Sequence, residues 1–255
     1  MEDRVQKIYF QGLMAQWFDK LMEHEWKDID YYKNVATSRE GSMLELGCGT
    51  GRILMPILAM GMDIEGMDVS GAMLDICREK LEKNFLTTKL YEQSITSLDT
   101  GKKYRTIFIA GAAYRLVGDL DQAMTSLEAI YQHLEPGGMF VCDLNNPGWS
   151  FRTYRDNTWK LGRTVTNEKG ESLWYWWCSE YNVQEQVQIY RTKHELFKDD
   201  MLVETRIAES TLRWYGKYEF KLMLEKAGFV DVDMEAVDIV SGPGRDMVYR
   251  AYKKK

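Results

Sequence analysis

Three glycines at alternate positions follow a short apolar strand early in the chain. Residues 43–52 read Met-Leu-Glu-Leu-Gly-Cys-Gly-Thr-Gly-Arg, and apolar residues at helical spacing begin at Ile53. Because glycine has no Cβ, a strand–turn–helix of this kind lets the backbone approach a ligand closely. The following helix N-terminus offers unpaired N–H groups to a carboxylate or another anion. The pattern predicts a small-molecule site at the end of the first strand.

The spacing of these glycines differs from that of a dinucleotide-binding turn. Such a turn reads Gly-x-Gly-x-x-Gly and needs a glycine at position 52, where this chain has Arg52. Glu45 is, moreover, an acidic residue in an otherwise apolar strand. A second predicted strand ends at Asp68, where a carboxylate can accept hydrogen bonds from both hydroxyls of a ribose. Ser70 is then the predicted N-cap of the next helix.

Together these motifs resemble those of the class I S-adenosylmethionine-dependent methyltransferases. Glu45–Gly51 resembles the first motif of that family, Asp68–Leu74 (Asp-x-Ser-x-x-Met-Leu) the segment after its second strand, and Leu134–Gly138 (Leu-x-Pro-Gly-Gly) the turn before its fifth strand. The resemblance implies S-adenosyl-L-methionine as cofactor and S-adenosyl-L-homocysteine as its product. No metal is expected, because the three histidines are scattered along the sequence. The cofactor-binding residues that it implies are Glu45, Gly47, Cys48, Gly49, Gly51, Arg52, Asp68, Val69, Met73, Ser94, Ile95 and Ala110. Ser94 stands where the family often has an acidic residue, and its hydroxyl or the backbone would accept from the adenine amine instead.

The order of predicted elements is that of an α/β fold. It reads β-α-β-α-β-β-α-β, an insertion, then α-β-β, and alternating βα units predict a parallel sheet with helices on both faces. The resemblance implies a Rossmann-like seven-stranded sheet with an antiparallel last strand. The insertion, residues 149–213, reads as three or four antiparallel strands, and it resembles one found in small-molecule N- and O-methyltransferases. We expect residues 1–38 to form a lid or a core helix, and 39–148 with 214–255 to form the cofactor-binding domain.

Candidate acceptor residues lie in the N-terminal helix, in the loops after strands four and five, and in the insertion. Methyl transfer needs alignment and the exclusion of water rather than a dedicated nucleophile, so no catalytic residue is assigned. In Leu173–Trp177, alternation places Trp174 and Trp176 on one face and Tyr175 and Trp177 on the other. We expect one face to pack on the main domain and the other to line a pocket. The candidates are Trp17, Tyr114, Arg115, Asn145, Trp149 and Trp176, each of which is equally compatible with a packing role.

Composition narrows the class of partner. The 255 residues carry a net charge of −6, and the only basic run is Lys253–Lys255, so nucleic acid is not expected as a partner. The Asn/Asp-Pro-Pro-aromatic motif of nucleic-acid amino-methylating enzymes is absent after strand four, where Ala110–Ala113 stands. No apolar run is long enough for a membrane span. A small-molecule acceptor is the remaining expectation, with the oligomeric state unassigned.

The four cysteines form no Cys-x-x-Cys pair, which argues against zinc and disulfides and for a cytosolic protein. Ile8–Gly12 resembles the recognition sequence of a protease used to remove purification tags, so residues 1–12 are not used to infer the fold. Two further functions stay open at this point. One is aminopropyl transfer from decarboxylated S-adenosylmethionine on the same fold. The other is a sensor or interaction protein that binds the cofactor without turnover.

Overall fold

The computed structural model describes residues 10–23, 27–145, 157–239 and 246–255. The helices of this part are α1 Leu13–Met22, α2 Asp28–Thr37, α3 Leu54–Ala59, α4 Gly71–Lys83, α5 Leu120–His133 and α6 Lys217–Lys226. The strands are β1 Met43–Leu46, β2 Ile64–Asp68, β3 Leu90–Glu92, β4 Tyr104–Ile109, β5 Leu134–Asn145, β6 Lys160–Thr166, β7 Ser172–Asn182, β8 Val187–Lys198, β9 Met201–Arg213, β10 Val230–Val237 and β11 Asp246–Tyr252. None of these helices is both long and apolar enough to cross a membrane.

The main sheet has seven strands in the order β10-β11-β5-β4-β1-β2-β3. Strand β11 runs antiparallel to both of its neighbours, while β1 to β5 pair in parallel. The order reverses between β1 and β4, and open α/β sheets bind ligands at such a switch point. The predicted Rossmann-like sheet with an antiparallel last strand is therefore confirmed. The central strands β1 and β4 are almost completely buried, as parallel strands covered on both faces require.

A second sheet is built from the insertion. Its four strands run antiparallel in the order β6-β7-β8-β9, as the sequence predicts. The turn between β6 and β7 is closed by a hydrogen bond from the amide of Gly170 to the carbonyl of Asn167. Asp199 and Asp200 form the turn between β8 and β9 with φ of 49° and 61°, a left-handed conformation that aspartate tolerates better than most residues.

Two sequence expectations change in detail. The N-terminal segment, expected to be a lid or a core helix, contains two helices. Helix α1 packs against the insertion in a cluster that includes Leu21, Leu173 and Leu196, while α2 packs against the main sheet. The predicted Pro-Gly-Gly turn is an irregularity inside β5 rather than a break before it. Strand pairing resumes on both sides, with Leu134 opposite Tyr104 and Met139 opposite Thr106.

Asp143 is an acidic residue in the buried middle of β5. Its Oδ1 accepts from the amide of Gly111 (2.9 Å) and its Oδ2 from the amide of Ala112 (2.6 Å), so the loop after β4 is fixed to β5. The hydroxyl of Tyr32 lies 2.5 Å from Oδ1 and 3.0 Å from the carbonyl oxygen of Ile109. A phenol has one proton, so Tyr32 shares it between these two acceptors. Burial raises the pKa of Asp143 to about 7, although the bonds from Tyr32 and Ala112 lower it.

This raised pKa predicts a pH-dependent stability. Between about pH 4, the ordinary carboxyl pKa, and about pH 7, folded Asp143 binds a proton that the unfolded chain has released. The contribution of Asp143 to the unfolding free energy therefore falls as the pH rises, by at most about 1.4 kcal/mol per pH unit. Asp143→Asn does not ionise and lacks this dependence. Urea denaturation of both proteins across this range should show the difference, wild type minus variant, declining with pH; a flat or rising difference contradicts the assignment.

Candidate active site

A cavity of about 540 Å³ lies at the carboxyl ends of the central strands, a size that holds a drug-sized ligand. All but one of the expected cofactor-binding residues line it: Glu45, Gly47, Cys48, Gly49, Arg52, Asp68, Val69, Met73, Ser94, Ile95 and Ala110. The exception is Gly51. A Cβ on Gly51 would lie 2.7 Å from Sγ of Cys77, and its φ is +82°. Gly51 is thus needed for close packing of the turn on α4, and it does not reach the cavity.

Asp68, at the end of β2, fixes the glycine turn. Its Oδ2 accepts a hydrogen bond from the amide of Gly49 (2.9 Å), and its Oδ1 accepts one from the amide of Ser70 (2.8 Å). Burial raises the pKa of Asp68, and these two donors act in the opposite direction. The amide of Val69 also contributes a hydrogen bond to Asp68. A carboxylate accepts about four hydrogen bonds, so acceptor capacity remains for a ligand. Ser70 caps α4 as predicted, since its side chain accepts from the amide of Met73.

Glu45 is a buried carboxylate that also lines the cavity. Its Oε2 has no hydrogen-bond partner among the described residues, and burial raises its pKa well above the ordinary value, with Arg52 acting in the opposite direction. Arg52 is itself held by Asp28, with Nη1–Oδ1 and Nη2–Oδ2 distances of 2.5 and 2.8 Å. A buried acceptor without a partner is costly. The cationic amino group of S-adenosylmethionine can donate the hydrogen bond that this oxygen lacks, so the site fits the expected cofactor.

Helix α1 is fastened to the cofactor side of the cavity. The carboxylate of Asp19 accepts from the hydroxyl of Thr50 (2.5 Å) and forms an ion pair with Lys80 on α4 (2.8 Å). Met14 and Phe18, on the same helix, line the cavity. Trp17 does not: it is 7% exposed and packs in the apolar cluster between α1 and the insertion.

Two of the expected acceptor residues reach the cavity, Arg115 and Asn145. Tyr114 does not, because the short 3₁₀ turn Ala113–Leu116 directs neighbouring side chains apart. Its hydroxyl lies 2.8 Å from both the carbonyl oxygen of Ala123 and Oγ of Ser126, inside the core. Trp149 lies outside the described residues.

The face of the insertion that lines the cavity is the one opposite Trp176. Trp176 donates to Glu195 (2.8 Å) and lies under the Lys193 ammonium, away from the cavity. Tyr175 and Trp177 line the cavity instead, together with Tyr190, Leu212 and Arg163 of the neighbouring strands. The alternation of β7 groups these side chains correctly. With tryptophan on both faces, however, it gives no sign of which face is turned inward.

The hydroxyls of Tyr175 and Tyr190 are hydrogen-bonded to each other across β7 and β8. Burial raises the pKa of Tyr175, so this pair donates and accepts hydrogen bonds at neutral pH rather than removing protons. Among the described lining residues the carboxylates are Glu45 and Asp68, both on the cofactor strands. The acceptor side of the cavity therefore offers aromatic surface, hydroxyls and guanidinium groups.

Comparison with known proteins finds methyltransferases. Residues 43–138 match the family model described as a methyltransferase domain. A protein of Geobacillus sp. (strain WCH70), named as a methyltransferase, is 24% identical over 232 residues, which cover 87% of this chain and 90% of that protein. These matches favour methyl transfer over aminopropyl transfer.

Solved structures with the same fold agree. An S-adenosylmethionine-dependent methyltransferase from Clostridium acetobutylicum ATCC 824 superposes with a TM-score of 0.74 at 19% identity, covering 94% of this chain and 98% of its own. The sugar N-methyltransferase KedS8 from Streptoalloteichus sp ATCC 53650 superposes with a TM-score of 0.76 at 18% identity, covering 96% and 94%. These structures show that the chain shares their fold. The match of residues 43–138 to a methyltransferase domain, with the cavity formed by the glycine turn, Glu45 and Asp68, supports methyl transfer from S-adenosylmethionine.

Proposed function

We propose that this methyltransferase transfers its methyl group to a nitrogen or oxygen atom of a small molecule in the cytosol. The observation that carries the proposal is a continuous cavity, whose lining passes from the motifs on β1 and β2 to the aromatic inner face of the insertion. An acceptor bound against that face is enclosed by α1 and both sheets, which suits a small molecule. The net charge of −6 disfavours nucleic acid, and four free, buried cysteines suit a reducing compartment.

In this proposal the chain binds the cofactor and the acceptor, orients them and excludes water. The cofactor supplies the methyl group and its leaving group. Glu45 accepts from the cationic amino group, Asp68 from the ribose hydroxyls, and Ser94 and Ile95 flank the adenine. The acceptor side provides no base that is ionised at neutral pH among the described lining residues. The acceptor nucleophile therefore arrives unprotonated, and the contribution of the chain is alignment in a dry cavity.

Binding and transfer test this function separately. Calorimetric titration with S-adenosylmethionine and S-adenosylhomocysteine should show binding of both, and absence of binding would overturn the cofactor site. Incubation with tritium-labelled cofactor and a fractionated metabolite pool should then label a small molecule. Label that appears only in protein or RNA fractions would refute the acceptor class. Binding without transfer to any fraction would favour a sensor.

Asp68→Asn tests the ribose contact. The amide keeps the shape of the carboxylate but loses its charge and one acceptor group, so affinity for S-adenosylhomocysteine should fall about tenfold or more. The melting temperature should fall as well, because one amide oxygen does not serve both Gly49 and Ser70. Asp75→Asn, at an exposed position on α4, is the matched control and should bind normally. An unchanged dissociation constant in Asp68→Asn would show that the carboxylate only fixes the turn.

Glu45→Gln tests the amino-group contact through pH. Burial holds the pKa of Glu45 well above its ordinary value, and only the ionised carboxylate pairs with an ammonium group. Wild-type affinity for S-adenosylmethionine should therefore rise as Glu45 ionises with increasing pH. Glu45→Gln should bind more weakly and lose this part of the pH dependence, whereas Glu79→Gln on the exposed side of α4 should keep it. Calorimetry over a pH series measures both, and parallel pH profiles for wild type and Glu45→Gln would count against the contact.

Trp177→Ala and Trp176→Ala form a matched pair for the acceptor side. The two indoles are adjacent in sequence and lie on opposite faces of β7. Loss of the cavity-lining ring should lower kcat/KM for the acceptor by roughly tenfold or more while leaving the cofactor dissociation constant unchanged. Trp176→Ala should retain both. Initial rates with the acceptor identified above provide the measurement, and equal impairment of the two variants would place the acceptor elsewhere.

A further inference from the structure

Arg115 is a buried guanidinium on the acceptor side of the cavity, only 7% exposed. Its Nη1 donates to Oδ1 of Asn145 (2.8 Å), its Nη2 to Oε1 of Gln188 (2.7 Å) and its Nε to the carbonyl of Arg213 (3.3 Å). All three acceptors are neutral, and among the described residues Arg115 has no carboxylate partner. A guanidinium has five N–H donors, so two remain after these three bonds. Burial lowers the pKa of Arg115 to about 10.

The charges that line the cavity are separated along the sheet. Glu45 and Asp68 lie on β1 and β2, whereas Arg115 is bonded to Asn145 at the end of β5. The strand order is β2-β1-β4-β5, so three strand spacings separate β2 from β5. The end of β2, with Asp68, therefore lies roughly 14 Å from the end of β5. Arg163 of β6 also lines the cavity. Although the chain has a net charge of −6, the acceptor side of the cavity is positively charged. The described residues that line this side include no carboxylate.

We infer that the methyl acceptor carries an anionic oxygen group, a carboxylate or a phosphate, which binds to Arg115. Buried charges in proteins are paired with an opposite charge or a ligand, and Arg115 combines burial, contact with the cavity and two remaining donors. The planar guanidinium matches the oxygen geometry of both anions. The inference rests on the proposed function and names the class of its substrate: a small molecule with a nucleophilic nitrogen or oxygen and a separate anionic group.

A structural role for Arg115 predicts a different result. Its three hydrogen bonds join β5, β8 and the end of β9, so removal of the side chain should lower the melting temperature under either role. Discrimination between an anion and its neutral counterpart is the readout that a structural role leaves unchanged. Benzoate and benzamide are one matched pair of probes, and phenyl phosphate and phenol are the second. Trp177, which lines the cavity, adds a fluorescence signal to calorimetry.

The experiment begins with protein saturated with S-adenosylhomocysteine, and binding of that compound is itself measured first. Failure there counts against the cofactor site, not against Arg115, and the anion titrations are then carried out on the free protein. In wild type, benzoate or phenyl phosphate should bind about tenfold or more tightly than its neutral counterpart. Preference within the first pair alone identifies a carboxylate, and within the second pair alone a phosphate.

Arg115→Gln should abolish this preference, and Arg206→Gln, at an exposed position on β9, should retain it. If Arg115→Gln does not fold, Arg115→Lys replaces it. That variant keeps the charge but loses the planar fork, and it should weaken anion binding with little effect on the neutral probes. Absence of any anion preference in wild type overturns the inference, whether the probes bind equally or not at all. A preference that survives in Arg115→Gln also overturns it, and so does an unchanged anion affinity in Arg115→Lys where that variant is the one that folds.

Discussion

Two carboxylates fix the loops on which this active site depends. Asp68 of β2 binds the amide of Gly49 in the loop after β1, and Asp143 of β5 binds the amides of Gly111 and Ala112 in the loop after β4. Strands β1 and β4 are neighbours at the switch point, and β2 and β5 flank them. Each outer strand thus holds the loop of the inner strand beside it. The floor of the cavity is positioned by these bonds, because short irregular loops lack ladder hydrogen bonds of their own.

The fold follows largely from local pattern. Strand–helix alternation from Met43 to Asn145 and the antiparallel final hairpin are predictable, because each parallel strand is a buried apolar run and each turn has its own residue chemistry. The boundary between α1 and α2 is not predictable from the sequence, since it depends on which hydrophobic cluster each helix packs against. The paired loop carboxylates divide in the same way. Asp68 stands at a strand end, where function is expected. Asp143 interrupts an apolar strand, and this exception to the pattern was the available signal for a buried structural carboxyl group.

The acceptor side shows the limit of sequence reasoning more sharply. Tyr114 and Arg115 are adjacent in one short turn. The hydroxyl of Tyr114 is nevertheless enclosed in the core, whereas the side chain of Arg115 reaches the cavity. Trp176 and Trp177 separate in the same manner across β7. A period of two assigns side chains to faces but does not say which face is covered. That choice depends on how the insertion packs on α1, a tertiary contact without a local pattern.

The separation of charge in the cavity bears on the reaction itself. Methyl transfer from a sulfonium moves one unit of positive charge from the side of Glu45 and Asp68 toward the side of Arg115. The guanidinium of Arg115 near a nucleophile that becomes cationic would oppose this step in a cavity of low dielectric constant. An anionic group on the acceptor removes the opposition, because it neutralises Arg115 before the charge arrives. The same group that would give the enzyme its specificity would thus make the transition state electrostatically acceptable.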